Sequence, residues 1–131
     1  MNQVEPIRNK DDIKKMYDVL KKKSDRDYLL FKLAIHTGIR LTDLLNLKVK
    51  DVKMIDQDEI KSSWIESCAP AIKILLPNDL REEVRRFIEY NKLMDDHLLF
   101  QSIRTHKELS RQQAYRIIHH AAEELGLCHI G

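Results

Sequence analysis

Glycine and proline are scarce in this chain, with three of each among 131 residues. So little backbone punctuation predicts long regular elements joined by short connections. Long apolar runs are missing as well. No stretch approaches the roughly 20 apolar residues of a membrane span, so no membrane partner is expected. The opening residues Met1-Asn2-Gln3-Val4-Glu5 hold no apolar core of the kind a secretory leader needs. The only cysteines are Cys68 and Cys128, which form no CxxC and no metal-ligand spacing. They read as reduced thiols of a cytoplasmic protein, with no disulfide framework, metal or cofactor expected.

The remaining composition is that of a globular protein, with 43% hydrophobic and 34% charged residues. A chain of 131 residues fits one domain, and no repeat, low-complexity tract or linker divides it. The net charge of +2 is too small to establish a nucleic-acid partner by itself. Lys21-Lys22-Lys23 is a local basic run, but a solvated helix end accounts for it.

Hydrophobic spacing places the elements. Ile13, Met16, Tyr17 and Leu20 share one helical stripe, which predicts a helix over about 12–22 capped by Asp11 or Asp12. After Asp25, a run from Tyr28 to Ile35 is apolar around most of its circumference. This marks a central buried helix that Gly38 terminates. Thr42 is the expected cap of a short third helix holding Leu44, Leu45 and Leu47. Val49 and Val52, then Ile60, Trp64 and Ile65, then Ile72, Ile74 and Leu76, predict short strands. The turn candidates between them are Asp56-Gln57-Asp58 and Ala69-Pro70-Ala71. A helix opens at Pro77-Asn78-Asp79 with the stripe Leu80, Val84, Phe87 and Ile88, and an apolar plug follows at Leu98-Leu99-Phe100. Ser110 and Gln113 form a capping box at the start of a last helix, which Gly126 stops. The expected fold is therefore mainly α with a small antiparallel three-stranded sheet.

One segment carries chemistry. Arg40 follows the helix-ending Gly38, and Asp43 stands three residues later. A carboxylate at that spacing can hold a guanidinium as a fixed fork for phosphate oxygens. By spacing alone, an ordinary Arg–Asp ion pair at a helix start is the simpler reading.

The wider stretch from Ile35 to Val52 reads I-H-T-G-I-R-L-T-D-L-L-N-L-K-V-K-D-V. It resembles the first conserved box of the tyrosine recombinases, the phage integrase family, and the elements from about Pro6 to Gly131 follow in family order. The resemblance implies DNA integration or site-specific recombination without metal or cofactor. A tyrosine hydroxyl attacks the scissile phosphate, two arginines neutralise its non-bridging oxygens, and a lysine and a histidine move protons. Arg40 matches the first arginine and Asp43 its acidic support. Double-stranded DNA is the implied partner, with self-association on it. Expected DNA contacts are Ser110, Arg111 and Gln112 at the last helix start, Arg104 in the preceding loop with His106 and Lys107, and Lys48 and His36 near the motif. Lys48 and Lys50, around the first expected strand, are the weaker candidates.

The chain departs from the family in two places. The turn that carries the family's lysine corresponds to Glu66-Ser67-Cys68-Ala69-Pro70, which has none. Lys61 and Lys73 lie several residues away. The family's His-x-x-Arg box and nucleophilic tyrosine have no counterpart within these residues, where His129 reads as a residue preceding the box. Tyr17 and Tyr28 read as core or rim, Tyr90 ends a helix, and Tyr115 lies in the last helix. No N-terminal DNA-clamping domain is expected either, so affinity for DNA should be weak and salt-sensitive. The sequence therefore predicts an integrase catalytic domain that does not cleave as it stands. The alternatives are a non-enzymatic DNA-binding remnant or regulator on the same fold, and an unrelated helical interaction module.

Overall fold

Helix α1 occupies Lys10–Lys23 in the computed structural model, which describes residues 10–53, 63–65, 73–102 and 109–126. Its acids Asp11 and Asp12 fall in the first turn and Lys21, Lys22 and Lys23 in the last, each sign at the dipole end that favours it. The helix starts earlier than its apolar stripe, so neither acid is the cap. Met16 and Leu20 are fully buried, each removal from water being worth roughly 1.5–3 kcal/mol.

Ser24 caps α2, Asp25–Thr37, by accepting from the Asp27 N–H at 3.4 Å. Leu29, Leu30, Phe31 and Leu33 are all buried, so α2 has core on more than one side. It packs against α1 and the three helices α3 (Leu41–Leu45), α5 (Asn78–Tyr90) and α6 (Arg111–Glu124). Phe31 belongs to a cluster with Met16, Leu20, Ala121 and Ala122. Leu29, Leu30 and Leu33 belong to a second, larger cluster that takes in α3, α5 and the start of α6.

The sequence expectation fails at Val49–Val52, which is a helical turn, α4, and not a strand. Residues three apart share a face on a helix and oppose each other on a strand. Val49 and Val52 are both fully buried, which only the helical turn allows. The turn is pinned from outside. Val49 N–H donates to His97 O at 2.9 Å, and Lys50 N–H donates to Asp95 O at 3.0 Å. Thr42 is likewise not a cap, because α3 begins one residue before it and Arg40 takes the cap position. Leu47 falls beyond the helix.

Among the described residues the sheet has two strands, β1 (Ser63–Ile65) and β2 (Lys73–Leu75). They pair antiparallel, Trp64 opposite Ile74. The two turn candidates of this region lie outside the described residues. Leu99 and Phe100 form the anticipated plug, at 1% and 0% exposure. Phe100 meets Phe87 of α5 with ring centroids 6.2 Å apart. The capping box at Ser110 and Gln113 is formed. Ala114, Ala121 and Ala122 give α6 a small-residue face that seats it on the core. Gly126, at φ 73°, follows its end. No helix among the described residues is long and apolar enough to cross a membrane.

Candidate functional site

The end of α2 is built by local chemistry. The Thr37 hydroxyl donates to Leu33 O at 2.6 Å and accepts from Ile39 N–H at 3.1 Å. Between them Gly38 sits at φ 69°, and its N–H closes the helix on Ala34 O at 3.1 Å. A Cβ at Gly38 would meet nothing within 4 Å, so the left-handed backbone, not crowding, calls for glycine here.

Ile39 then turns into the core at 7% exposure, and Arg40 turns out to solvent. Arg40 has an extended backbone, φ −60° and ψ 143°, and its carbonyl accepts the first bond of α3 from Leu44 N–H at 3.0 Å. Asp43 is half-buried in the first turn of α3, with its Oδ2 closed off from solvent. Among the described residues no ion pair joins it to Arg40, whose guanidinium stands open.

The other expected contacts fall as follows. His36 is exposed in the last turn of α2. Lys48 is exposed just before α4, and its N–H donates to Asp51 Oδ2 at 2.8 Å. Ser110 accepts from Gln113 N–H at 3.1 Å and donates its own N–H to Gln113 Oε1 at 3.0 Å. Arg111 and Gln112 are exposed in the turn that follows. Arg111 stacks on Tyr115, 5.3 Å from the ring centroid. Arg104, His106 and Lys107 lie outside the described residues. Arg40, Lys48 and Ser110 share one construction. Each is exposed beside a buried neighbour, Ile39, Val49 and Leu109 respectively, and those three neighbours belong to one core cluster.

A second polar group was not anticipated. Lys32 Nζ donates to Glu83 Oε1 at 2.6 Å and to the Tyr28 hydroxyl at 2.9 Å, and that hydroxyl donates to Glu83 Oε2 at 2.6 Å. Lys32 also lies 5.4 Å from the ring centroids of both Tyr17 and Tyr28. Burial pulls the Lys32 ammonium down, but the hydrogen bonds from Glu83 and Tyr28 outweigh it, and the net direction is up. Burial raises the Tyr28 hydroxyl, and the bond to Glu83 adds to it. The one signal in the sequence is a lysine inside the apolar run Leu29 to Ile35. A similar pair anchors the start of α2. Arg26 donates to buried Asp27 Oδ1 at 2.9 and 3.0 Å and reaches Gln101 O at 3.3 Å. Both groups use their charges internally. Among the described residues no group of three or more His, Cys, Asp or Glu could hold a metal.

The site can therefore supply an open guanidinium on a rigid backbone, which suits a bidentate contact to phosphate oxygens. The model of the phage integrase family matches residues 8–130. The probable integrase/recombinase YoeC of Bacillus subtilis is 39% identical over 132 residues, covering all of this chain and 70% of that protein. A crystal structure of XerA recombinase matches 95% of this chain and 45% of its own, with TM-score 0.74 and 18% identity. Lambda integrase bound to DNA matches all of this chain and 46% of its own, with TM-score 0.70 and 19% identity. At those identities the solved structures speak for the fold, and this chain spans less than half of each.

Proposed function

Because this chain belongs to the phage integrase family of tyrosine recombinases, we propose that it serves site-specific DNA recombination and integration, with Arg40 as a phosphate-binding arginine. The observation that carries this reading is the Thr37-Gly38-Ile39-Arg40 turn, which leaves a guanidinium exposed on a backbone fixed on both sides. In tyrosine-recombinase chemistry the attacking tyrosine oxygen forms a bond to phosphorus while the leaving strand's oxygen departs. Charge builds on the non-bridging oxygens, and a fixed guanidinium is worth most there. Double-stranded DNA is the partner, with self-association on it. Lys48, His36 and the start of α6 at Ser110, Arg111 and Gln112 supply flanking contacts, and Arg104 belongs to the same proposal. Asp43 is the acidic support of Arg40 in this reading, acting through α3.

These 131 residues contain no His-x-x-Arg sequence. Tyr17 and Tyr28 are committed to the Lys32 group, Tyr115 is engaged by Arg111, and Tyr90 is exposed at the end of α5. The 131-residue polypeptide is therefore expected to bind duplex DNA without cutting it. A second reading, a non-enzymatic DNA-binding protein on this fold, is favoured by Glu66-Ser67-Cys68-Ala69-Pro70, where the family carries its lysine.

The test is a titration of duplex DNA at rising salt. Affinity should fall as a power of salt concentration, and Arg40→Ala should reduce the slope by about one. Binding indifferent to both salt and Arg40 would overturn the reading. A nicked suicide substrate should give no covalent complex with this polypeptide, and trapping one would refute the expected lack of cleavage.

A further inference from the structure

We propose that Thr37 is the positioning residue for Arg40, its hydroxyl setting the direction in which the guanidinium meets DNA phosphate. The inference rests on the reading of Arg40 given above. Nothing at the tip of Arg40 aims it, since it is exposed and makes no ion pair among the described residues. Its direction must come from the backbone. On the downstream side that backbone is held by Leu44 N–H on the Arg40 carbonyl, at 3.0 Å. On the upstream side it is held by two different anchors. The Ile39 side chain, 7% exposed, fixes where the chain sits. It does not fix how the preceding peptide plane is turned, and Gly38 is the residue least able to resist that rotation.

The Thr37 hydroxyl fixes the plane. It accepts from Ile39 N–H at 3.1 Å and donates to the carbonyl of Leu33 at 2.6 Å. Leu33 is fully buried and belongs to the main cluster. One hydroxyl thus ties the residue before Arg40 to a buried turn of α2. Thr37 is itself half-buried, so water competes poorly for these bonds. A small rotation at Gly38–Ile39 is amplified along the extended arginine side chain, and bidentate contacts tolerate little misplacement.

The experiment compares the wild-type chain with Thr37→Val, Thr37→Ser, Arg40→Ala and the double variant Thr37→Val/Arg40→Ala. Thr37→Ala, which removes the same hydroxyl with a better helix former, is measured beside Thr37→Val and substitutes for it if that variant does not fold. Each is titrated against a short mixed-sequence DNA duplex at several salt concentrations, with urea unfolding alongside. Removing the hydroxyl should weaken binding on the order of tenfold and lower the salt slope toward that of Arg40→Ala. Thr37→Ser should bind like wild type, and the double variant should bind like Arg40→Ala alone. A merely structural threonine would reduce the folded fraction and leave the slope of the folded protein unchanged. That result overturns the proposal, as would wild-type binding by the hydroxyl-free variants, losses that multiply in the double variant, or failure of Thr37→Ser. A silent Arg40→Ala is a different result, since it removes the reading of Arg40 itself and this inference with it.

Discussion

Lys32 lies within α2 and Arg40 lies just past its end, yet the two cations are treated in opposite ways. Lys32 is 18% exposed, lies beside two tyrosine rings, and gives hydrogen bonds to Glu83 and Tyr28. Arg40 is exposed, with only its backbone held. The difference is one of solvation. A part-buried cation must be paired or its desolvation goes uncompensated, so Lys32 can only join α2 to α5. A cation kept open loses little solvation and remains available to an anion from outside. One helix thus supplies both the joint that sets the frame and the site that the frame presents.

The largest expected effect strikes the frame common to both. Leu33→Ala empties a fully buried position and should cost about 2–5 kcal/mol of unfolding free energy, measured in urea. Stability and DNA binding should fail together, and a loss well below that range would mean α2 is not the shared support. Glu83→Gln comes next. It leaves Lys32 and Tyr28 without their carboxylate, at a cost of about 1–2 kcal/mol once the partial exposure of the pair is discounted. The folded fraction of that variant should still bind DNA with the wild-type salt slope. Arg40→Ala should show the converse, with a reduced slope and a stability within about 0.5 kcal/mol of wild type. If Glu83→Gln changed the slope, or Arg40→Ala destabilised the chain by more than about 1 kcal/mol, the division of labour would be lost.

How much of this was legible in the sequence depended on distance along the chain. The left-handed end at Gly38 and the capping box at Ser110 and Gln113 are made by residues at most four apart, and both stand as read. The core stripes of α1 and α5 were equally plain, because helical spacing is a local property. The motif gave Arg40 its position at the turn. Val49 and Val52 misled, because β-branched residues favour strands, while the turn's first N–H groups are held by the carbonyls of His97 and Asp95 far along the chain. Thr42 looked like a cap because Thr commonly is one. Helix α3 starts a residue sooner with Arg40 at its cap position and no side-chain cap, and the threonine bonded in this turn is Thr37, at the end of α2. The Lys32–Glu83 bond joins residues 51 apart, and no local pattern names the partner of a lone lysine in an apolar run.

The smallest expected effect is also the most specific test of the paired cation. Lys32 is raised in the folded chain, with burial acting downward and the bonds from Glu83 and Tyr28 outweighing it. Tyr28 is raised by burial and by its bond to Glu83. A group raised on folding contributes stability that is complete below its ordinary value and is lost as pH climbs through the raised one. Both contributions should therefore be whole at neutral pH and decline only above roughly pH 10, where free tyrosine and lysine titrate. Other groups of the chain titrate too, so the informative quantity is the difference in unfolding free energy between wild type and Glu83→Gln. That difference should stay level from about pH 7 to 9 and narrow beyond about pH 10, as Lys32 loses its proton and Tyr28 its hydroxyl hydrogen. Narrowing already below about pH 9 would mean that Glu83 does not hold the lysine charged, and the contrast with Arg40 would then rest on burial alone.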